Sequence, residues 1–148
     1  MERRRLMDTE WIDYRAWHHD KKVMMHVSEI DFRKHRIKGR AKDEVISARF
    51  DEVTLMPWTT YYDDSHDDVM IYEGDIVEVK HKDMTKRFVI DDETGVLLAQ
   101  CIEKEQYPFV EFDLEMILND GGRVKVIGNI YENPELLEPK EGSDKNGY

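Results

Sequence analysis

Short runs of alternating apolar and polar residues, each broken by a turn, constrain this chain more than any other feature. In Ile76-Val77-Glu78-Val79-Lys80, successive side chains of a strand point to opposite faces, so Val77 and Val79 share an apolar face and Ile76 lies on the other side near the turn. Trp11 to Trp17 behaves the same way, with Trp11, Asp13, Arg15 and Trp17 on one face and Ile12, Tyr14 and Ala16 on the other. Its aromatic and β-branched residues favour a strand over a helix. Two matching tetrapeptides, Ile71-Tyr72-Glu73-Gly74 and Ile130-Tyr131-Glu132-Asn133, punctuate such runs. Their flanks differ, so they are a local similarity and not a duplication. The expected fold class is mainly β, with antiparallel sheets and one or two short helices.

The turn residues divide the chain further. His19-Asp20-Lys21-Lys22 links the first strand to Val23–Val27, which predicts a hairpin. Val53–Met56 reads as a strand stopped by Pro57. Residues 59–68 read as a polar loop. Glu73-Gly74-Asp75 suits a strand entry, because Gly accepts a left-handed backbone and Asp can accept from a nearby backbone N–H. Asp91 to Gly95 predicts a hairpin turn between Phe88–Ile90 and Gly95–Ile102. Phe112–Leu118 fits a two-turn helix ended by Asn119-Asp120-Gly121-Gly122. The run from Val124 to Ile130 has apolar residues on both faces, which predicts a central strand. Gly128 within it points to a bulge or a close backbone approach. Asn133-Pro134 is suited to cap and open a last turn.

At 148 residues the chain is the size of one domain and buries about 68–70% of its unfolded surface, enough for a core without covalent staples. The one cysteine, Cys101, permits no internal disulfide, which fits a reducing compartment. Its apolar surroundings, Val96 to Ile102, favour a small buried hydrophobe over a nucleophile. No run reaches the roughly 18 apolar residues of a membrane span, and no apolar segment follows the basic Met1–Arg5 start as a secretory signal requires. The expectation is a cytoplasmic protein with no membrane partner.

Net charge is −11, unevenly spread. Residues 1–50 hold 13 Lys/Arg against 9 Asp/Glu, whereas residues 51–148 hold 9 against 24. An acidic field of this size opposes broad, non-specific binding to nucleic acid. The one basic run is Arg33 to Lys42, with six Lys or Arg and no acid in ten residues. Arg33, Lys34, Arg36, Lys38 and Arg40 are the candidate nucleic-acid-binding residues, since each cation can neutralise a phosphate. Phe32 and Phe50 are placed to stack on bases. The plainer reading of the run is a solvated loop or a strand edge whose charges discourage sheet pairing.

Catalytic signatures are missing: the sequence has no nucleophile elbow, P-loop, zincin helix or paired-cysteine motif. No catalytic, cofactor-binding or metal residue is assigned and no cofactor is expected. Asp63, Asp64, His66, Asp67 and Asp68 offer hard-cation ligands but lack the Gly and Glu spacing of a calcium loop. His18 and His19 are adjacent and read as surface turn residues. An enzyme reading would need His26 or His81 gathered with buried carboxylates.

Several blocks, in order, carry a resemblance. They are Tyr14-Arg15-Ala16-Trp17, Lys21-Lys22-Val23-Met24, Leu55-Met56-Pro57-Trp58-Thr59, Ile71-Tyr72-Glu73-Gly74-Asp75-Ile76-Val77, and Val126 through Leu137. Together they are similar to the YopX-like family, encoded mainly by phages and prophages. The glycine-containing segment that the family places before its Ile-Tyr-Glu-Gly-Asp block is replaced here by Thr60–Asp68. The resemblance implies a single domain of coiled, bifurcated antiparallel sheets. It supplies no mechanism, because the family carries no established activity.

The organisation expected is a flexible N-terminus over 1–10, a YopX-like β domain over 11–137 and a disordered tail over 138–148. The function expected is that of a non-enzymatic accessory protein acting in a bacterial host by binding, with a protein partner or another copy of itself favoured by the charge asymmetry. Two alternatives stand beside it: a nucleic-acid-binding module using residues 33–42, and an enzyme with an unrecognised site.

Overall fold

The computed structural model describes residues 12–65, 67–91, 98–102 and 111–138. The expectations for residues 1–10, for 139–148 of the tail, for Trp11, for His66, for most of the 91–95 turn and for the Cys101 side chain lie outside these residues. The chain is mainly β and antiparallel. A six-stranded sheet has the order β4-β3-β2-β1-β5-β6, and a five-stranded sheet has the order β10-β9-β8-β7-β11. The chain also divides into two compact units, Met1–Thr60 and Tyr61–Tyr148.

In the first unit, β1 (Tyr14–His18) and β2 (Val23–Asp31) form the expected hairpin. His18 is not a surface residue: it ends β1 with 4% of its area exposed. Its Nδ1 accepts the Lys21 backbone N–H at 3.2 Å, which ties the turn from inside. His19 is exposed and meets Thr54 Oγ1 at 2.8 Å. β3 (Arg36–Ala41) and β4 (Glu44–Arg49) extend the sheet on one side, and β5 (Val53–Tyr62) pairs with β1 on the other. Ala16, Met25, Ile37, Ala41, Ile46, Ala48 and Val53 form the core of this unit, with Val23, Val27, Ile30, Phe50 and Leu55 packed around it.

Pro57 does not stop β5, which continues to Tyr62. The Trp58 N–H donates to Asp13 O at 2.9 Å, toward β1. Successive N–H groups of a strand alternate in direction, so the Pro57 nitrogen faces away from β1 and the ladder to β1 stays intact. Thr59–Tyr62 are therefore strand rather than loop, and the loop proper begins at Asp63.

In the second unit, β6 (Met70–Tyr72) leads through Glu73-Gly74 into β7 (Asp75–His81). Gly74 has φ 88°, and Asp75 Oδ2 accepts the Tyr72 N–H at 2.8 Å, the turn chemistry expected. β8 (Met84–Asp91) pairs antiparallel with β7 and with β9 (Leu98–Cys101), and β10 (Glu111–Asp113) follows beside β9. Phe112 thus lies in a strand, and the helix is shorter than expected: α1 spans Leu114–Asn119, with the Asp113 carboxylate accepting the Glu115 N–H. Gly121 at φ 85° and a Gly122 N–H to Ile117 O bond close it. The core here is Ile71, Val77, Val79, Phe88, Ile90, Leu114, Ile117 and Val124. Full burial of a ring such as Phe88 (0% exposed) contributes about 1.5–3 kcal/mol.

β11 (Arg123–Asn129) is an edge strand, not a central one. The register with β7 shifts between Val126 and Gly128, so Ile127 is an extra residue in a bulge. The bulge, rather than burial on two sides, produces the apolar residues of both parities. Gly128 also meets a close approach, since a Cβ there would lie 2.7 Å from Asn133 Oδ1. Asn133 does not cap the 3-10 turn Pro134–Leu137 with its side chain; its Oδ1 reaches back to accept the Asn129 N–H at 3.1 Å.

The loop after β5 covers the open edge of β11. The Asp64 N–H donates to Val124 O at 3.0 Å, and Asp63 Oδ2 accepts the Val126 N–H at 3.0 Å. Asp63 is 4% exposed, and its Oδ1 also accepts the Ser65 N–H, the Ser65 hydroxyl and the Val69 N–H. Burial alone pushes its carboxyl up, but the hydrogen bonds from Ser65, Val126 and Val69 outweigh it and hold the group below the usual carboxylate range.

Candidate nucleic-acid interface

The basic run divides between a turn and a strand. Residues 32–35 form the tip between β2 and β3. Asp31 Oδ1 accepts the N–H groups of Arg33 and Lys34, both at 3.0 Å, so the tip is locked by a side chain two and three residues upstream. His35 takes a left-handed backbone with φ 56°. From Arg36 the chain is in β3, and alternation sorts it: Ile37, Gly39 and Ala41 are buried, whereas Lys38 and Arg40 are exposed and Arg36 is half-buried on that same face. At about 3.3 Å per residue, cations two apart in sequence stand roughly 6.6 Å apart.

β3 is an interior strand between β2 and β4. Edge protection therefore does not explain its charges. Gly39 admits the neighbouring strand, since a Cβ there would lie 2.5 Å from His26 O. That approach coincides with a register shift in β2 between Val27 and Glu29. Ser28 is the extra residue, and its hydroxyl donates to Lys38 O at 3.2 Å.

The register adds a cation outside the basic run. Arg49 of β4 stands directly opposite Arg36, and like charges in that position destabilise a sheet. The pair is eased from both sides. Arg36 Nη2 donates to Ser47 Oγ at 3.2 Å, and Arg49 meets Asp51 at 3.0 Å and Glu52 at 3.6 Å. Glu52 is held below the usual carboxylate range chiefly by the hydrogen bond from the Arg49 backbone N–H, with burial opposing and the Arg49 charge assisting. Arg33, Lys34, Lys38 and Arg40 form no ion pair among the described residues. In the sequence, only the strand alternation from Val45 to Arg49 hinted at the direction of Arg49.

Three rings cluster at the β2–β3 tip, with Phe50 packed against the core of the unit. His35 stacks on Phe50 with centroids 5.3 Å apart, and Phe32 meets Phe50 edge-on at 6.1 Å. Phe32 is 73% exposed.

The other candidate chemistry is not assembled. Among the described residues no group of three or more His, Cys, Asp or Glu could hold a metal ion. Asp63 is occupied by backbone donors, and Asp64 pairs with Arg123 at 3.0 Å. His26 meets Asp13 at 3.0 Å, and His81 meets Asp120 at 2.9 Å. Each histidine has a single carboxylate rather than a buried cluster. The His81 hydrogen bond, then the Lys82 charge, holds Asp120 low. No helix among the described residues is long and apolar enough to cross a membrane.

The strand order and the exposed cationic strand define a mainly β protein of two antiparallel sheets with a charged sheet face. The chain belongs to the YopX family, whose model, described as YopX protein, matches residues 13–138. The crystal structure of YopX from Bacillus subtilis is similar in fold, with a TM-score of 0.58 and 20% identity over 85% of this chain and 98% of that one. Comparison with curated proteins gives no match.

Proposed function

We propose that the protein is a non-enzymatic binding module whose ligand on the first unit is single-stranded nucleic acid. The observation that carries this reading is the row of Arg36, Lys38 and Arg40 on one interior strand face, next in sequence to a tip that exposes Phe32 and His35. Cations track a phosphate backbone and exposed rings stack on bases, the two interactions that sequence-tolerant single-strand binding uses. Folding accounts for part of this charge, since Asp31 and Glu29 of β2 stand directly opposite Arg36 and Lys38, but it gives no reason to expose Phe32. The second unit, with 9 Lys/Arg against 22 Asp/Glu over residues 61–148, carries a net charge that opposes a long polyanion and favours a short footprint on the first unit. The setting we propose is that of a phage or prophage accessory protein in the bacterial cytoplasm, in keeping with the family resemblance and the single cysteine.

Fluorescence anisotropy with a labelled oligonucleotide tests the reading. Arg36→Gln with Lys38→Gln, which removes the charges without setting new carboxylates opposite Asp31 and Glu29, is expected to weaken binding at low salt strongly while the protein still melts cooperatively. Unchanged binding would end it.

A second reading rests on the charge contrast between the units, +2 for residues 1–60 (13 Lys/Arg, 11 Asp/Glu) and −13 for 61–148. Opposite patches favour head-to-tail association of copies. Light scattering at low and high salt tests it, and a monomer at both counts against it.

A further inference from the structure

The second unit carries a cationic pocket that the nucleic-acid reading does not use. Lys80 and Glu78 on β7 and Arg123 and Lys125 on β11 line a concavity of about 300 Å3, with Asp64 at its side. The ladder sets Lys80 directly opposite Arg123 and Glu78 directly opposite Lys125. The first is a like-charge pair, which costs sheet stability. The second is an opposite-charge pair, yet no ion pair closes between its members. Lys80, Lys125 and Glu78 make no side-chain hydrogen bond or ion pair among the described residues. Arg123 is held instead by its Nε, which donates to Asp64 Oδ2 at 3.0 Å. That bond engages Nε and leaves the terminal Nη groups outside it, with the guanidinium exposed at the pocket wall. The lining thus holds three cations against two carboxylates, Asp64 and Glu78, a net positive site in a unit that is otherwise strongly acidic.

We propose that this pocket binds a dianionic phosphate group, carried by a small phosphate monoester or by inorganic phosphate. The lining is charged throughout, which excludes an apolar ligand or a stacked base. The volume lies at the small end of ligand-sized pockets. Two lysines act as point charges, and Arg123 supplies the directional donors that phosphate oxygens accept. Glu78, on the same wall, accepts from a hydroxyl or amine elsewhere on the ligand, which selects a monoester bearing such a donor over the bare ion. A phosphodiester carries one negative charge and meets the same lysines more weakly.

The test is two-dimensional NMR titration of the full chain with inorganic phosphate, glycerol phosphate and dimethyl phosphate, each at ionic strength fixed with chloride. Saturable shifts confined to residues around 78–80 and 123–125 are expected for the first two, tighter for glycerol phosphate. Lys125→Gln is expected to weaken both by about tenfold, equivalent to about 1.4 kcal/mol. Glu78→Gln is expected to erase the preference for glycerol phosphate while phosphate itself still binds. Both side chains lie on the sheet surface away from the core, and an unchanged spectrum elsewhere verifies the fold of each variant. Shifts no larger than those caused by chloride, equal binding of dimethyl phosphate, or indifference to Lys125→Gln would each overturn the proposal. It does not depend on the strand face of the first unit, so oligonucleotide binding and phosphate binding fail separately.

Discussion

The backbone N–H of Ile130 donates to the carbonyl of Gly74 at 3.0 Å. The two matching Ile-Tyr-Glu segments therefore meet at one end of the β7–β11 ladder, where Asn129 also pairs with Asp75. Each closes its own turn with a neighbouring side chain. Asp75 accepts the Tyr72 N–H, and Asn129 Oδ1 accepts the N–H groups of Tyr131 and Glu132. Gly74 is the point both turns share. Gly74→Ala places a Cβ at φ 88° and is expected to destabilise the fold by about 1–2 kcal/mol. Urea denaturation monitored by circular dichroism measures it.

Asp63 gives the fold a defined acid sensitivity. Its folded carboxyl sits below its ordinary value of 3.8, so the unfolded chain binds the proton more readily. Its contribution is present above the ordinary value and disappears as pH falls through the lower, folded value. Asp63→Asn keeps the shape but removes the charge. It is expected to lower stability near neutral pH by roughly 1.5–3 kcal/mol, the worth of a hydrogen bond to a charged group, and to flatten the acid-induced loss of stability. Denaturation midpoints measured from neutral pH down through the ordinary carboxylate range read both effects.

Gly39 controls how closely β2 and β3 approach. A methyl group there meets His26 O at 2.5 Å, and backbone cannot yield as a side chain can. Gly39→Ala is expected to destabilise by about 1–3 kcal/mol, the usual range for overpacking. It is also expected to weaken any ligand of the cationic face. Calorimetric melting together with oligonucleotide anisotropy checks both.

Phe32 separates binding from folding. At 73% exposure its removal is expected to change stability by no more than about 0.5 kcal/mol. If it stacks on a base, Phe32→Ala weakens single-strand affinity by about 1–3 kcal/mol. The paired measurement is the melting curve and the oligonucleotide affinity.

Salt dependence reports how many cations bind phosphate. Replacing Arg36, Lys38 and Arg40 by Gln is expected to reduce the slope of log affinity against log salt by roughly 0.7 for each phosphate that is no longer neutralised. Anisotropy titrations at several salt concentrations give the slope directly.

The chain by itself determined whatever depends on near neighbours. Alternation is a property of the pleated backbone, so the mainly β class, the first hairpin and the faces of Val77 and Val79 are legible in the sequence. So is the Gly74-Asp75 turn, because its donor and acceptor lie within three residues. The basic run is visible too, as are Phe32 and Phe50 beside it.

What only the tertiary structure decided depends on partners far apart in sequence. Nothing local places Arg49 against Arg36, or Lys80 against Arg123; register between strands does. Pro57 misleads as a strand stop because its effect depends on which side of the strand its nitrogen faces. β11 misleads as a central strand because a bulge of one residue imitates two-sided burial. Asp63 resembles the solvated acids around it in sequence, yet it holds the N–H of Val126, 63 residues away. A side chain's worth as ligand, brace or bystander is set by the groups brought opposite it, and in a sheet those are fixed by strand order and register.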